Sequence, residues 1–175
     1  QPDQKLIQEY QRNRIMSFLY PENEEYSDDI EQQNNSMLAI GSGELTGKGL
    51  NNQESSANKG NFVSQIQTDF IFAVAGEELG FIGCSLIIFI LLWITFECIR
   101  MSLRSKDLSG KLICCGVATL IALQSFINIC VATGMMPNTG TPLPFVSYGL
   151  TSLLSLFIGM GFVLNIRLQA KKSKQ

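Results

Sequence analysis

The chain has 175 residues, of which 46% are hydrophobic and only 16% charged, a low charged fraction for a water-soluble domain. Its net charge of −2 leaves no basic surface for a phosphate backbone, which argues against nucleic acid as a partner. Because the chain has no histidine, Ser-His-Asp triads, Cys-His dyads and His-ligated zinc are excluded. Any acid-base chemistry must use carboxylates, lysine or tyrosine.

Residues 1–70 are the polar part of the chain, and we predict an extracellular loop with short amphipathic or irregular helices. Ile15, Phe18 and Leu19 follow the i, i+3, i+4 spacing of a short amphipathic helix on a membrane surface. Residues 21–36 are rich in acids and amides, which predicts a loop. Residues 41–49 are glycine-rich and predict turns, without the spacing of a phosphate-binding loop.

Three apolar stretches follow, and we predict transmembrane helices over 71–99, 112–134 and 148–168. The core of the first stretch is interrupted only by Glu97, and the second carries no charge. About 20 apolar residues cross the roughly 30 Å hydrocarbon core of a bilayer. The chain is therefore predicted to be an all-α membrane protein.

The charges between these helices predict their orientation. The loop 100–111 and the tail 169–175 are rich in lysine and arginine, so both are predicted to be cytoplasmic. The N-terminal segment 1–70 and the Pro-rich loop 135–147 then face outward. Three spans after a long external segment are unusual for a complete protein, and we expect a fragment of a larger one.

Asp69 stands where the polar segment meets the first apolar stretch. An acid in a first helical turn complements the helix dipole, with Thr68 as a cap, and this reading stays open. On a helical wheel a stripe of small residues lies beneath Asp69, which predicts close approach of another helix. The stripe consists of Ala73, Gly76, Gly80 and Gly83.

Further polar residues lie in or beside the predicted helices. Glu77 is the acid expected to assist Asp69, although an interfacial charge is an equal alternative. Gln124 and Asn128 lie one turn apart, a spacing typical of interhelical hydrogen bonds. The loop 135–147 is stiffened by three prolines, and we expect it to line a polar chamber that opens outward.

Two segments carry a family resemblance. The segments TDFIFAVAGEELGFIG (68–83) and PNTGTPLPFVSYG (137–149) resemble the signatures of the shape, elongation, division and sporulation (SEDS) family, which includes RodA, FtsW and SpoVE. Residues 14–23 and 39–50 look like the large external loop of that family. The resemblance implies a ten-span fold, of which this chain would be the C-terminal part. We expect seven spans upstream of Gln1, and no activity from residues 1–175 alone.

The resemblance also implies a function. Family members are peptidoglycan glycosyltransferases that polymerise lipid II at the outer face of the bacterial cytoplasmic membrane, beside a class B penicillin-binding protein that crosslinks the glycan. A lipid-precursor flippase and a non-catalytic scaffold for that partner remain alternatives.

The essential acid of the family carries over to Asp69. It would act either as general base on the acceptor 4-hydroxyl or as ligand of a divalent cation, Mg²⁺ or Mn²⁺, against the diphosphate. Both roles stay open, and no other cofactor is implied. Two positions depart from the family pattern. Gln67, where many relatives have His, removes a possible ligand or base helper but leaves the acid in place, and Leu150, where SYGG has its second Gly, suggests a subgroup. The residues expected to contact substrate are Lys48, Glu77, Thr139, Ser147 and Tyr148.

Overall fold

The computed structural model describes residues 14–18, 20, 27–50, 69–105 and 107–172. Within these residues there are four helices and no strand, and residues 14–18 form one further helical turn. The predictions for Leu19, Thr68 and Gln67 lie outside the described residues. The helices are α1 (Ser27–Ser42), α2 (Ile71–Arg104), α3 (Leu108–Ala132) and α4 (Leu150–Lys172).

Three of the helices are long and apolar enough to cross a membrane: α2, α3 and residues 150–169 of α4. This confirms the all-α fold with three membrane helices. The 34 residues of α2 exceed the about 20 residues that cross the roughly 30 Å bilayer core. Leu150, and not residue 148, is the first residue of α4, because residues 144–147 form a turn.

The helices pack through two apolar clusters at opposite ends of α2. One cluster joins α2 to the end of α3 and to the Pro-rich loop through Phe72, Ala132 and Leu143. The other joins α2, α3 and α4 through Cys98, Cys114 and Val163. Large apolar side chains elsewhere on the three membrane helices are exposed, as expected of surfaces that face lipid or further helices.

The prediction of a loop over residues 21–36 is wrong from residue 27 onward, where α1 begins. The helix is held by side-chain hydrogen bonds to carbonyls at the end of α3. Gln33 Nε2 donates to the Val131 and Met136 oxygens at 3.1 and 2.8 Å, and Ser36 Oγ donates to the Ala132 oxygen at 2.9 Å. These tertiary bonds explain a helix that local composition disfavours.

Helix α2 is broken at Gly80, whose φ of 66° and ψ of −165° are not helical. The segment 43–49 docks into the break, as the turn-rich sequence 41–49 allows. Its backbone takes over the hydrogen bonds that the helix cannot make across Gly80. The four bonds run from Lys48 N to Glu77 O (2.9 Å), Gly49 N to Glu78 O (3.1 Å), Phe81 N to Glu44 O (2.9 Å) and Ile82 N to Leu45 O (3.2 Å).

The small residues of α2 do permit close approach, although not as one helical stripe. Gly76 contacts Ile40 of α1, and a Cβ on Gly43 would collide with the Gly76 carbonyl. Asp69 precedes the helix, and the break at Gly80 changes the direction in which Gly83 points. The wheel that aligned all of these residues with Asp69 was therefore wrong.

Candidate functional site

Asp69 lies in a turn immediately before α2. The helix begins at Ile71 with Phe70 in the N-cap position, no side chain among the described residues caps it, and its first turn contains no acid. The interpretation of Asp69 as a first-turn residue that complements the dipole was therefore wrong. Phe70 is 3% exposed and packs with Ala73 and Val131, which anchors the backbone next to Asp69.

Asn128 of α3 ties this turn to the Pro-rich loop. Its Nδ2 donates one hydrogen bond to the Asp69 carbonyl oxygen and one to the Thr141 carbonyl oxygen, each at 2.7 Å. The side chain is 1% exposed. The buried Asn128 amide thus joins the Asp69 turn to the Pro-rich loop at Thr141, which lies 72 residues later in the sequence.

The Asp69 carboxylate is partly exposed, and it makes no hydrogen bond or ion pair with any residue that the structure describes. Its main chain is fixed by Asn128 while its side chain stays available. A carboxylate in this condition can accept a proton or bind a cation.

The Pro-rich loop is built by local hydrogen bonds of its own polar residues. Asn138 is 5% exposed, and its Oδ1 accepts a bond from the Gly140 N–H at 3.1 Å. The Asn138 carbonyl accepts a bond from Arg14 Nη1 at 3.4 Å, so the helical turn 14–18 packs against this loop. Thr139 and Thr141 pair through their hydroxyls at 3.1 Å on an exposed surface.

The end of the loop contains two predicted site residues in opposite environments. Ser147 is 2% exposed, and its Oγ accepts a hydrogen bond from the Leu143 N–H at 2.7 Å. The Ser147 N–H in turn donates to the Leu143 carbonyl at 3.0 Å. Tyr148 is 81% exposed. Ser147 therefore shapes the turn, Tyr148 is accessible, and a substrate contact by either stays a prediction.

Lys48 and Glu77 form the second group of predicted residues. The Lys48 Nζ lies 2.9 Å from Glu77 Oε1, with the Lys48 side chain 32% exposed and that of Glu77 1% exposed. Their backbones are also joined, at the α2 break. The docked segment 43–49 thus places a cation over a buried acid, and neither alternative for Glu77 anticipated this pairing.

The predicted site residues consequently fall into two groups. Asp69 and the loop of Thr139, Ser147 and Tyr148 are connected through Asn128, whereas Lys48 and Glu77 meet at the Gly80 break. The spacing of Gln124 and Asn128 predicted hydrogen bonds between helices. The observed partners of Asn128 are instead backbone carbonyls of two loops. The signal was an amide in an apolar helix, which predicts a hydrogen bond but does not identify the partner.

A divalent cation at Asp69 stays a prediction. Within the part of the chain that the structure describes, no three Cys, Asp or Glu side chains are grouped so that they could hold a metal ion. Asp69 would supply one oxygen ligand there, and other ligands would come from substrate phosphates or water.

Comparison with known proteins gives consistent matches. Residues 5–172 match the model of the FtsW/RodA/SpoVE family, which is described as cell cycle protein. The chain is 37% identical over 163 residues to the probable peptidoglycan glycosyltransferase FtsW of Geobacter sulfurreducens, covering 93% of this chain and 43% of that protein. It is 40% identical over 157 residues to stage V sporulation protein E of Bacillus subtilis, covering 90% of this chain and 42% of that protein.

A solved structure is similar over nearly all of the chain. It was reported under the description "Structural coordination of polymerization and crosslinking by a peptidoglycan synthase complex", and the match has a TM-score of 0.72 at 27% identity. The match covers 94% of this chain and 44% of the other. The chain therefore spans less than half the length of the relatives it matches.

Proposed function

Because this chain belongs to the FtsW/RodA/SpoVE family, we propose that it supplies the acidic catalytic residue of a peptidoglycan glycosyltransferase that polymerises lipid II into glycan strands. The name of the Geobacter sulfurreducens relative supports the reaction. Since the chain spans 43% of that relative, the activity is proposed for the complete polypeptide.

The observation that carries the proposal is the state of Asp69. Its backbone is fixed between the first membrane helix and the Pro-rich loop by Asn128, and its carboxylate has no partner among the described residues. Glycosyl transfer requires the acceptor hydroxyl to lose a proton while the diphosphate leaves the donor sugar. An unpaired, well-positioned carboxylate suits the first task.

Lys48 suits the second task. A lysine can stabilise the charge that develops on a leaving diphosphate, and Lys48 is held at the α2 break by Glu77. The burial of Glu77 favours a role in orienting Lys48 over direct contact with substrate. Thr139 and Tyr148, both exposed, are the hydroxyl groups best placed to contact a sugar or phosphate.

The membrane setting fits this chemistry. The chain is part of a multi-pass membrane protein, and the positive-inside pattern predicts that Asp69 lies at the outer face. The complex described for the solved relative supports a penicillin-binding protein as partner, and we propose one of class B. No observation favours the flippase or the scaffold over the polymerase.

Substitution of Asp69 tests the function. In the complete polypeptide with its partner, Asp69→Asn should lower lipid II polymerisation by about 10²- to 10⁴-fold, because the amide cannot accept the proton. Asp69→Glu should retain part of the rate, down on the order of 10- to 100-fold, because the carboxylate is displaced by about one methylene. Glycan products from labelled lipid II, separated on gels, provide the measurement.

Asp107→Asn is the matched control, since Asp107 also precedes a membrane helix, on the opposite side by the charge pattern. It should polymerise like wild type. Wild-type activity of Asp69→Asn would contradict the proposal. Chelation separates the two roles of Asp69: loss of activity with EDTA and recovery with Mg²⁺ or Mn²⁺ would favour cation binding, and unchanged activity would favour proton transfer.

A further inference from the structure

We propose that Asn128 is a positioning residue for the polymerisation reaction, because it sets the place of Asp69 relative to the Pro-rich loop. The inference rests on the proposed function, in which Asp69 carries the chemistry. Asn128 belongs to α3, contributes no predicted substrate contact, and acts on Asp69 through a backbone carbonyl.

Asp69 needs such a tie because it lies outside the helix. At the start of α2, the N–H groups of Ala73 and Val74 donate to the Phe70 carbonyl, so the helical hydrogen bonds begin one residue after Asp69. The hydrogen bond from Asn128 is the one that the structure gives Asp69 within the described residues. Without it, the Asp69 peptide could rotate while α2 remained intact.

The same amide holds the opposite wall of the site. Its second hydrogen bond goes to the Thr141 carbonyl, and Thr141 pairs with Thr139. Asn128 therefore links the turn of Asp69 directly to the loop that carries the exposed hydroxyls. Both bonds are 2.7 Å long, at the short end for an amide donor.

Packing alone does not explain an asparagine at this position. Its Oδ1 is buried without a hydrogen-bond partner among the described residues, which is a cost that leucine of similar size would avoid. The two Nδ2 bonds must offset that cost. The geometry thus assigns to this amide the joining of two loops across the outer ends of α2 and α3.

The test compares Asn128→Leu and Asn128→Asp in the complete polypeptide with its partner. Leucine preserves volume and removes both donors, whereas a buried aspartate that faces two carbonyl oxygens stays protonated and donates to only one of them. We expect each to lower kcat for lipid II polymerisation by about 30-fold, the scale of a sub-ångström to 1 Å displacement of a catalytic group. The KM for lipid II should rise by less than kcat falls, within about threefold, because the proposed substrate contacts Lys48 and Tyr148 make no hydrogen bond to Asn128.

A double-mutant cycle separates positioning from folding. In the Asp69→Glu background, where the carboxylate is already displaced, Asn128→Leu should lower kcat by no more than about threefold, because the two effects are coupled. An equal loss in both backgrounds would make Asn128 merely structural and overturn the inference. If Asn128→Leu does not fold, the isosteric Asn128→Asp carries the same cycle.

Ser125→Ala is the matched control. Ser125 lies one turn earlier on α3, is also buried, and its Oγ has no hydrogen-bond partner among the described residues, so kcat should be unchanged. Failure of the inference is distinct from failure of the proposed function. Asp69→Asn at wild-type rate would refute the function; an inactive Asp69→Asn beside Asn128 variants with wild-type kcat would refute only the positioning role.

Discussion

Gly80 gives α2 its break, and no other residue type fits there. Its backbone, with φ of 66° and ψ of −165°, lies in a region that is open essentially to glycine alone. A Cβ would also lie 2.8 Å from the Leu45 carbonyl group and collide with the Gly47 nitrogen. The docked segment and the glycine therefore require each other.

We predict that Gly80→Ala destabilises the protein by about 2–4 kcal/mol, from backbone strain and from displacement of the segment 43–49. Thermal unfolding in detergent, followed by size-exclusion chromatography, measures the effect. Gly161→Ala is the control, because a Cβ there meets nothing within 4 Å. Equal melting temperatures for the two variants would contradict the break as described.

At the residue scale, the sequence could predict that polar residues in the membrane helices matter, but not what they bind. Asn128 was identified as a hydrogen-bonding residue because an amide in an apolar helix needs a partner. Its partners, the carbonyls of Asp69 and Thr141, become neighbours only when two loops converge. The Lys48–Glu77 pair could not be predicted from the sequence either. It depends on the break at Gly80, and a helical wheel treats the helix as continuous.

Among the elements, α1 depends on its contact with α3. Gln33 and Ser36 donate to the carbonyls of Val131, Ala132 and Met136, at a helix end where carbonyls have no partner within their own helix. The short helix α1 thus supplies hydrogen-bond donors to carbonyls at the end of a membrane helix.

Substitution of Gln33 by leucine should cost about 1–3 kcal/mol of stability, because the Met136 carbonyl loses its donor at a partly buried site and the Val131 carbonyl keeps only the Gly134 N–H. Limited proteolysis within α1 and the melting temperature in detergent would report the loss. The control is Ser42→Ala, whose hydroxyl bonds only to the Ala39 carbonyl of its own helix and should cost less than about 0.5 kcal/mol. If α1 of the Gln33 variant resisted proteolysis as well as α1 of the wild type, the hydrogen bonds of Gln33 would not be what stabilises this helix.

The membrane helices were predictable as elements, and α1 was not, for one physical reason. Apolar length determines whether a segment crosses a bilayer, and that property is local to the sequence. The stability of α1 comes from bonds to residues about 100 positions later.

At the scale of the whole molecule, the charges predict one orientation for all the helices. Eight of the thirteen basic residues lie in residues 100–111, where α2 meets α3, and in residues 167–174 at the end of α4, whereas the candidate site residues lie at the other end of the helices. Asp69, Thr139 and Lys48 would all face outward.

Cysteine labelling tests this orientation. In intact cells, a membrane-impermeant maleimide should label Met135→Cys, and it should label Lys111→Cys only after permeabilisation, because both positions are exposed but lie at opposite ends of α3. A Cys115→Ala background removes the exposed native cysteine. The reverse labelling pattern would place the candidate site inside the cell and contradict the proposed function.

The docking of residues 43–49 into α2 also bears on how the protein is made. These residues precede α2 in the chain, so they leave the ribosome first and, with the predicted orientation, have crossed the membrane before α2 enters it. Residues 81–104 extend about 36 Å and can span the bilayer without the rest of α2. The outer part of α2, residues 71–79, can then pack against residues 43–49, which have already crossed the membrane. Assembly of the active face would thus be the last step of inserting this helix, and not its beginning.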